Sequence, residues 1–117
     1  MILAPNFPDD HTMYLLMQLL HEELGLPERK TIGLTTSINF DLGCNGDDAR
    51  HLMEALEEQF GVDFEDYDAY RYFQPEEFDV LLKRRAKGRG DKVPLTIGML
   101  YQTVKSQRWD TQTLEGL

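Results

Sequence analysis

Apolar residues recur along this chain with the spacing of one helix face in three places. In the clearest, Ala49, Leu52, Met53, Leu56 and Phe60 fall at i, i+3, i+4, i+7 and i+11. This is the signature of an amphipathic helix with one buried face. Arg50, Glu54, Glu57 and Glu58 lie on the other face. Asn45 or Gly46 is placed to cap its start, because an Asn side chain accepts a hydrogen bond from the free amides of the first turn. Asp47 and Asp48 follow at the positive end of the helix dipole. Gly61 comes directly after Phe60 and suits the left-handed residue that closes a helix.

The same spacing joins Met13, Leu16, Met17, Leu20 and Leu24, widened by Leu15 and Leu19. That helix should begin at Asp9 or Asp10, after Pro8, and stop at Gly25 and Pro27. A last helix opens at Thr96, a good N-cap, with Leu95 and Leu100 at the two positions of a hydrophobic staple. Ile97, Leu100, Tyr101 and Val104 form its apolar face, and Trp109 is placed to close the bundle.

Between these stripes the signals are shorter. Ile32, Leu34, Ile38 and Phe40 alternate in part, as a strand would. The favoured reading is a structured loop whose apolar residues plug the core. Tyr67, Tyr70 and Phe73 are three apart and predict a short helix with aromatic anchors. Pro75 fits the first position of a further helix, with Glu76 and Glu77 early and Lys83 to Arg85 late, as the dipole favours. Gly88 and Gly90 loosen the loop after it, and the tail from Asp110 is expected to fray.

Three apolar stripes on a short chain leave water most simply by facing one another. The fold class expected is therefore all-α with at most short strands. Leu16, Leu20, Leu52, Leu56, Phe60, Leu100 and Val104 should share the core. At 117 residues the chain makes a single domain over 1–117.

Charge sharpens this picture. The net charge is −9, and it is unevenly spread. Between Asp41 and Asp79 there are thirteen acidic residues and two basic ones, Arg50 and Arg71. Between Lys83 and Lys92 lie six of the twelve basic residues. The acidic half would repel a phosphate backbone, so no nucleic-acid partner is expected. It suits a basic protein partner instead. No apolar run is long enough to span a bilayer, and MILAPNFPDD lacks the basic flank and apolar core of a signal peptide. The expectation is a cytoplasmic protein without membrane insertion. Cys44 is the only cysteine, which excludes an intrachain disulfide and a multi-cysteine zinc site.

The stretch from Asp41 to Phe64 also resembles the core of acyl carrier proteins. Asp41, Leu42 and Gly43 match the D-L-G that opens the carriers' D-L-G-x-D-S-L-D motif, and Asp48 matches its last Asp. Leu52, Leu56, Glu57, Glu58 and Phe60 match the helix that follows, Val62-Asp63-Phe64 its exit, and Leu95-Thr96-Ile97 the start of the carriers' last helix. The close match covers about twenty-five residues. GDDA at 46–49, FGVDF at 60–64, RYF at 71–73, PLT at 94–96, Met99-Leu100 and Trp109 further resemble a family of bacterial carrier-like proteins with no established activity. The resemblance implies a carrier-type helical bundle with an insertion, Gln74 to Val93, holding a helix and a basic loop. It also implies that the second helix docks a basic partner through Asp47, Asp48, Glu54, Glu57 and Glu58. Gly46 stands where carriers have the serine that takes the phosphopantetheine arm, and Asn45 and Asp47 also depart from the motif. Glycine has no nucleophile, so no arm and no cofactor are expected.

Other chemistry is sparse. Cys44 is two residues from Gly46 and admits a reading as an acyl-transfer or thiol-dependent enzyme, but no base lies near it in sequence. A small loop residue packed against the helix is the favoured reading. Asp41, Asn45 and Gly46 fit positions one, five and six of a calcium loop, whereas Gly43 and Leu52 fail at three and twelve. His11, His21 and His51 lack metal-ligand spacing and read as surface residues. Lys83 to Lys92 is a third candidate, able to hold an anionic partner in a regulatory role. It has no interleaved aromatics to stack bases. The function expected is thus a non-catalytic, carrier-like interaction module, with the Cys44 and Lys83 to Lys92 readings as its alternatives.

Overall fold

The computed structural model of the protein describes residues 2–44, 46–73 and 92–117. In chain order these form β1 (Ile2–Leu3), α1 (His11–Leu24), β2 (Thr31–Ile32), α2 (Gly46–Phe60), α3 (Ala69–Tyr72), α4 (Ile97–Ser106) and α5 (Thr111–Glu115). The described chain is mainly helical. Its sheet is one short parallel pair, with Ile2 opposite Thr31 and Leu3 opposite Ile32. The helix expected from Pro75 and most of the basic loop lie outside the described residues.

The three long helices arise where their stripes placed them. The Asp10 carboxylate caps α1 by accepting from the Met13 amide at 2.8 Å. Gly25 ends it at φ +66°, a left-handed conformation that costs glycine little. Met13, Leu16, Met17, Leu19 and Leu20 are buried. On α2 the buried row is Ala49, Leu52, Met53 and Leu56. Phe60 is only half-buried, because it sits on the last turn, just before Gly61 turns the chain away at φ +67°. Thr96 caps α4 and accepts from the Met99 amide at 3.2 Å. Leu95 and Leu100, the staple pair, are both fully buried. Packing puts α1 against α2 and α4, and α5 against α4. Of the seven residues expected to share the core, all but Phe60 are buried.

The alternating segment resolves into both of its readings. Thr31–Ile32 is strand, and the rest is a structured loop that plugs into the N-terminus of α4. Ile38 is fully buried, and its amide donates to the Leu95 carbonyl at 2.8 Å. The Thr36 carbonyl accepts from Ile97 at 3.0 Å and the Leu34 carbonyl from Gly98 at 2.9 Å. Buried backbone polar groups are thus paired without a sheet. Asn39 makes three bonds across the chain. Its Nδ2 donates to the Tyr72 carbonyl at 2.9 Å and the Val93 carbonyl at 2.8 Å, and its Oδ1 accepts from Leu95 at 3.0 Å.

Two expectations are corrected. The aromatic anchors are Tyr67, Tyr72 and Phe73, while Tyr70 is half exposed. The helix there has only four residues, so a spacing of three does not fix which side chains turn inward. The tail does not fray. Asp110 caps α5, Leu114 is buried, and the Thr111 amide donates to the Asp66 carboxylate at 2.8 Å. Glu115 accepts from Arg71 Nε and from the Tyr72 hydroxyl, each at 2.6 Å.

The Arg71 hydrogen bond, opposed by partial burial, holds the Glu115 carboxyl below its ordinary value of 4.5. Its folded value is therefore the lower one. The stability it contributes is complete above the unfolded value and is lost as pH falls through the folded one. Glu115→Gln should consequently flatten the decline of Tm below about pH 4.5. Thermal melts of both proteins between pH 3 and 7 check this, and parallel declines would refute it.

Candidate functional site

The exposed face of α2 is the most highly charged surface on a described helix. Burial of Ala49, Leu52, Met53 and Leu56 against the bundle leaves Asp47, Asp48, Arg50, His51, Glu54, Glu57 and Glu58 in solvent. At about 3.6 residues per turn, Asp47, His51, Glu54 and Glu58 line up along the outward crest. Asp48 falls on one flank and Glu57 on the other. All five carboxylates expected to meet a partner are therefore exposed on one helix. Arg50 pairs with Asp47 at 3.0 Å, but both side chains are more than half exposed, and such pairs contribute little. Glu54 and Glu58 are like charges at i, i+4, which costs a few tenths of a kcal/mol (about 0.2–0.5).

On the Glu57 flank a cleft of about 300 Å³ opens between α2 and α3. Ala49, Met53, Phe64, Tyr67 and Phe73 give it an apolar floor, and Glu54, Glu57, Arg50, Ala69 and Tyr70 stand at its edge. The charge pattern of α2 did not point to this cleft. Its one trace in the sequence is the aromatic spacing of Tyr67, Tyr70 and Phe73, which predicts the anchors of a short helix. Behind the floor, Tyr67 and Tyr72 meet Trp109 edge-on at 5.1 and 5.7 Å.

A larger, polar cavity of about 730 Å³ lies between Asp63, Glu65, Asp66, Arg71 and α5. Its most prominent groups already have structural tasks. Asp66 holds Thr111, and Glu115 holds Arg71 and Tyr72.

The remaining candidates separate clearly. Gly46 is the first residue of α2. Ser37, the nearest upstream hydroxyl, is buried and engaged with Asp41, whose carboxylate accepts from the Ser37 amide at 2.8 Å. His11, His21 and His51 are exposed. Among the described residues no group of three or more His, Cys, Asp or Glu side chains is arranged to hold a metal ion. Also among them, no helix is long and apolar enough to cross a membrane. Of the Lys83 to Lys92 run, only Lys92 is described, and its ammonium donates to the Tyr70 carbonyl.

Cys44 is 2% exposed, with its amide bonded to the Ile38 carbonyl at 2.9 Å. Burial, with the Asp48 charge adding to it, pushes the thiol up to about 12. The thiolate is the reactive form, and that value leaves roughly one thiol in ten thousand ionised at pH 8. Iodoacetamide at pH 8 should therefore label the folded protein at least about a hundredfold more slowly than the urea-unfolded chain. Equal rates would show that the thiol is accessible.

No curated protein and no solved structure matches the chain. The likeness to acyl carriers accordingly rests on the residues quoted above alone. A family model does match, over residues 13–111, which takes in α1 from Met13 onward, the loop before α2, the acidic helix, the cleft and α4. The chain belongs to the family described as "Protein of unknown function (DUF1493)".

Proposed function

We propose that this protein is a non-catalytic, carrier-like interaction module that docks a basic partner protein through Asp47, Asp48, Glu54, Glu57 and Glu58. The observation that supports this reading is the exposure of all five carboxylates on α2, opposite the row that packs into the core. A helix that keeps like charges at i, i+4 gives up some local stability. It gains a field that steers and orients a cationic surface. Gly46, at the first position of that helix, carries no hydroxyl for a phosphopantetheine arm, so docking needs no prosthetic group. The thiol reading draws no support from a buried Cys44 that is neutral at physiological pH.

The test is charge reversal. Glu54→Lys with Glu58→Lys replaces two exposed side chains and should change stability by no more than about 0.5 kcal/mol per site. Capture of the native partner from a host lysate should be abolished. For the parent protein, capture should weaken as salt rises, since screening shortens to about 3 Å at 1 M. Undiminished capture by the doubly reversed protein, with unchanged salt dependence, would remove α2 as the docking face.

A further inference from the structure

We infer that the cleft between α2 and α3 seats the apolar side chains of a basic amphipathic helix, so that the partner is read by shape as well as by charge. This rests on the reading of α2 as the docking helix and names what that helix would hold. One wall of the cleft is the row Ala49, Met53 and Glu57, at i, i+4 and i+8 on α2; Phe64, Tyr67 and Phe73 supply the rest of the floor. Apolar ground thus runs beside the Glu54 and Glu58 crest.

An amphipathic helix laid in a groove presents the same two features, apolar anchors on one stripe and polar groups alongside. Charge selects its sign. From Asp41 to Phe73 the chain carries ten carboxylates and two guanidinium groups. Arg71 is held by Glu115, and Arg50, at the cleft's edge, pairs with Asp47 at 3.0 Å. Lysines or arginines flanking the anchors would meet Glu54, Glu57 and Glu58. An anionic ligand of equal apolar content, such as a fatty acid, would meet the same carboxylates as repulsion. The volume, about 300 Å³, is at the small end for ligand sites and suits one or two anchoring side chains.

The experiment uses the full chain and two synthetic peptides of about 18 residues, long enough to form a helix. One places leucines on a single helical stripe with lysines elsewhere. The other has the same lysines with glutamine at every leucine position. Binding is followed by fluorescence titration and by NMR shifts of the Met53 methyl group and the Phe73 and Tyr67 rings. The leucine peptide should bind at least about tenfold more tightly, a difference of about 1.4 kcal/mol, and only it should move those signals. Equal binding of both peptides, with shifts confined to the α2 crest, would overturn the cleft and leave the acidic docking helix standing. No binding of either at low salt would overturn both readings. Contacts from Phe78, Leu81 or Leu82 to Met53 and Phe73 in the free protein would assign the cleft to the chain's own segment and overturn the proposal.

Discussion

Trp109→Ala should cost about 3–5 kcal/mol, a large share of the roughly 5–15 kcal/mol that keeps a domain folded. Trp109 is fully buried where three parts of the chain meet. Its ring lies 6.0 Å from Phe64 and takes Tyr67 and Tyr72 edge-on. Such aromatic pairs contribute beyond their buried area. The backbone is also engaged, since the Trp109 amide donates to the Asp63 carbonyl at 2.8 Å and Nε1–H to Thr111 Oγ1 at 3.1 Å. Alanine would leave a cavity lined by rigid rings, which collapse poorly. Trp109→Phe keeps most of the packing and should lose much less. Urea unfolding of the two variants, read at unchanged m-value, checks this. A loss below about 1 kcal/mol for the alanine variant would contradict the burial.

The second large effect separates the two faces of α2. Leu56 is fully buried, and Leu56→Ala should cost about 2–5 kcal/mol. Two residues on, Glu58 is exposed, and Glu58→Ala should stay within about 0.5 kcal/mol. The contrast matters for function as much as for stability. If the outward row carries little folding energy, its charges are free to be set by binding. Denaturation of the pair of variants measures the contrast directly, and comparable losses would mean that α2 is packed on both faces.

Periodicity is why the long helices are legible in the sequence. Leu16, Leu20, Leu52, Leu56 and Leu100 belong to stripes that repeat over two to three turns, and caps at Asp10 and Thr96 and the stop at Gly61 agree with them. Local and tertiary preferences coincide there. Short elements lack that redundancy. Two residues of β1 contain no period at all. The four residues of α3 could not show that Tyr72, rather than Tyr70, turns inward. The tail looked free because its order comes from distant groups, Asp66 and Arg71, which only the fold brings to Thr111 and Glu115. The candidate site divides in the same way. The acidic crest lies on one helix and follows from counting residues. The cleft beside it joins Met53 to Phe64 and Phe73 across a turn, and no local pattern reports such a meeting.

Asn39 carries a different consequence. One amide group donates to the carbonyls of both Tyr72 and Val93, and the Val93 amide donates to the Arg71 carbonyl at 3.1 Å. The chain leaving α3 and the chain entering α4 are thereby knotted together at a single point. Whatever joins them begins and ends at that knot. Closing such an excursion costs only about 0.6 kcal/mol more for each doubling of its length. Because Asn39 pins both sides of the junction, lengthening the connection between residues 73 and 92 adds at that point only this small closure cost.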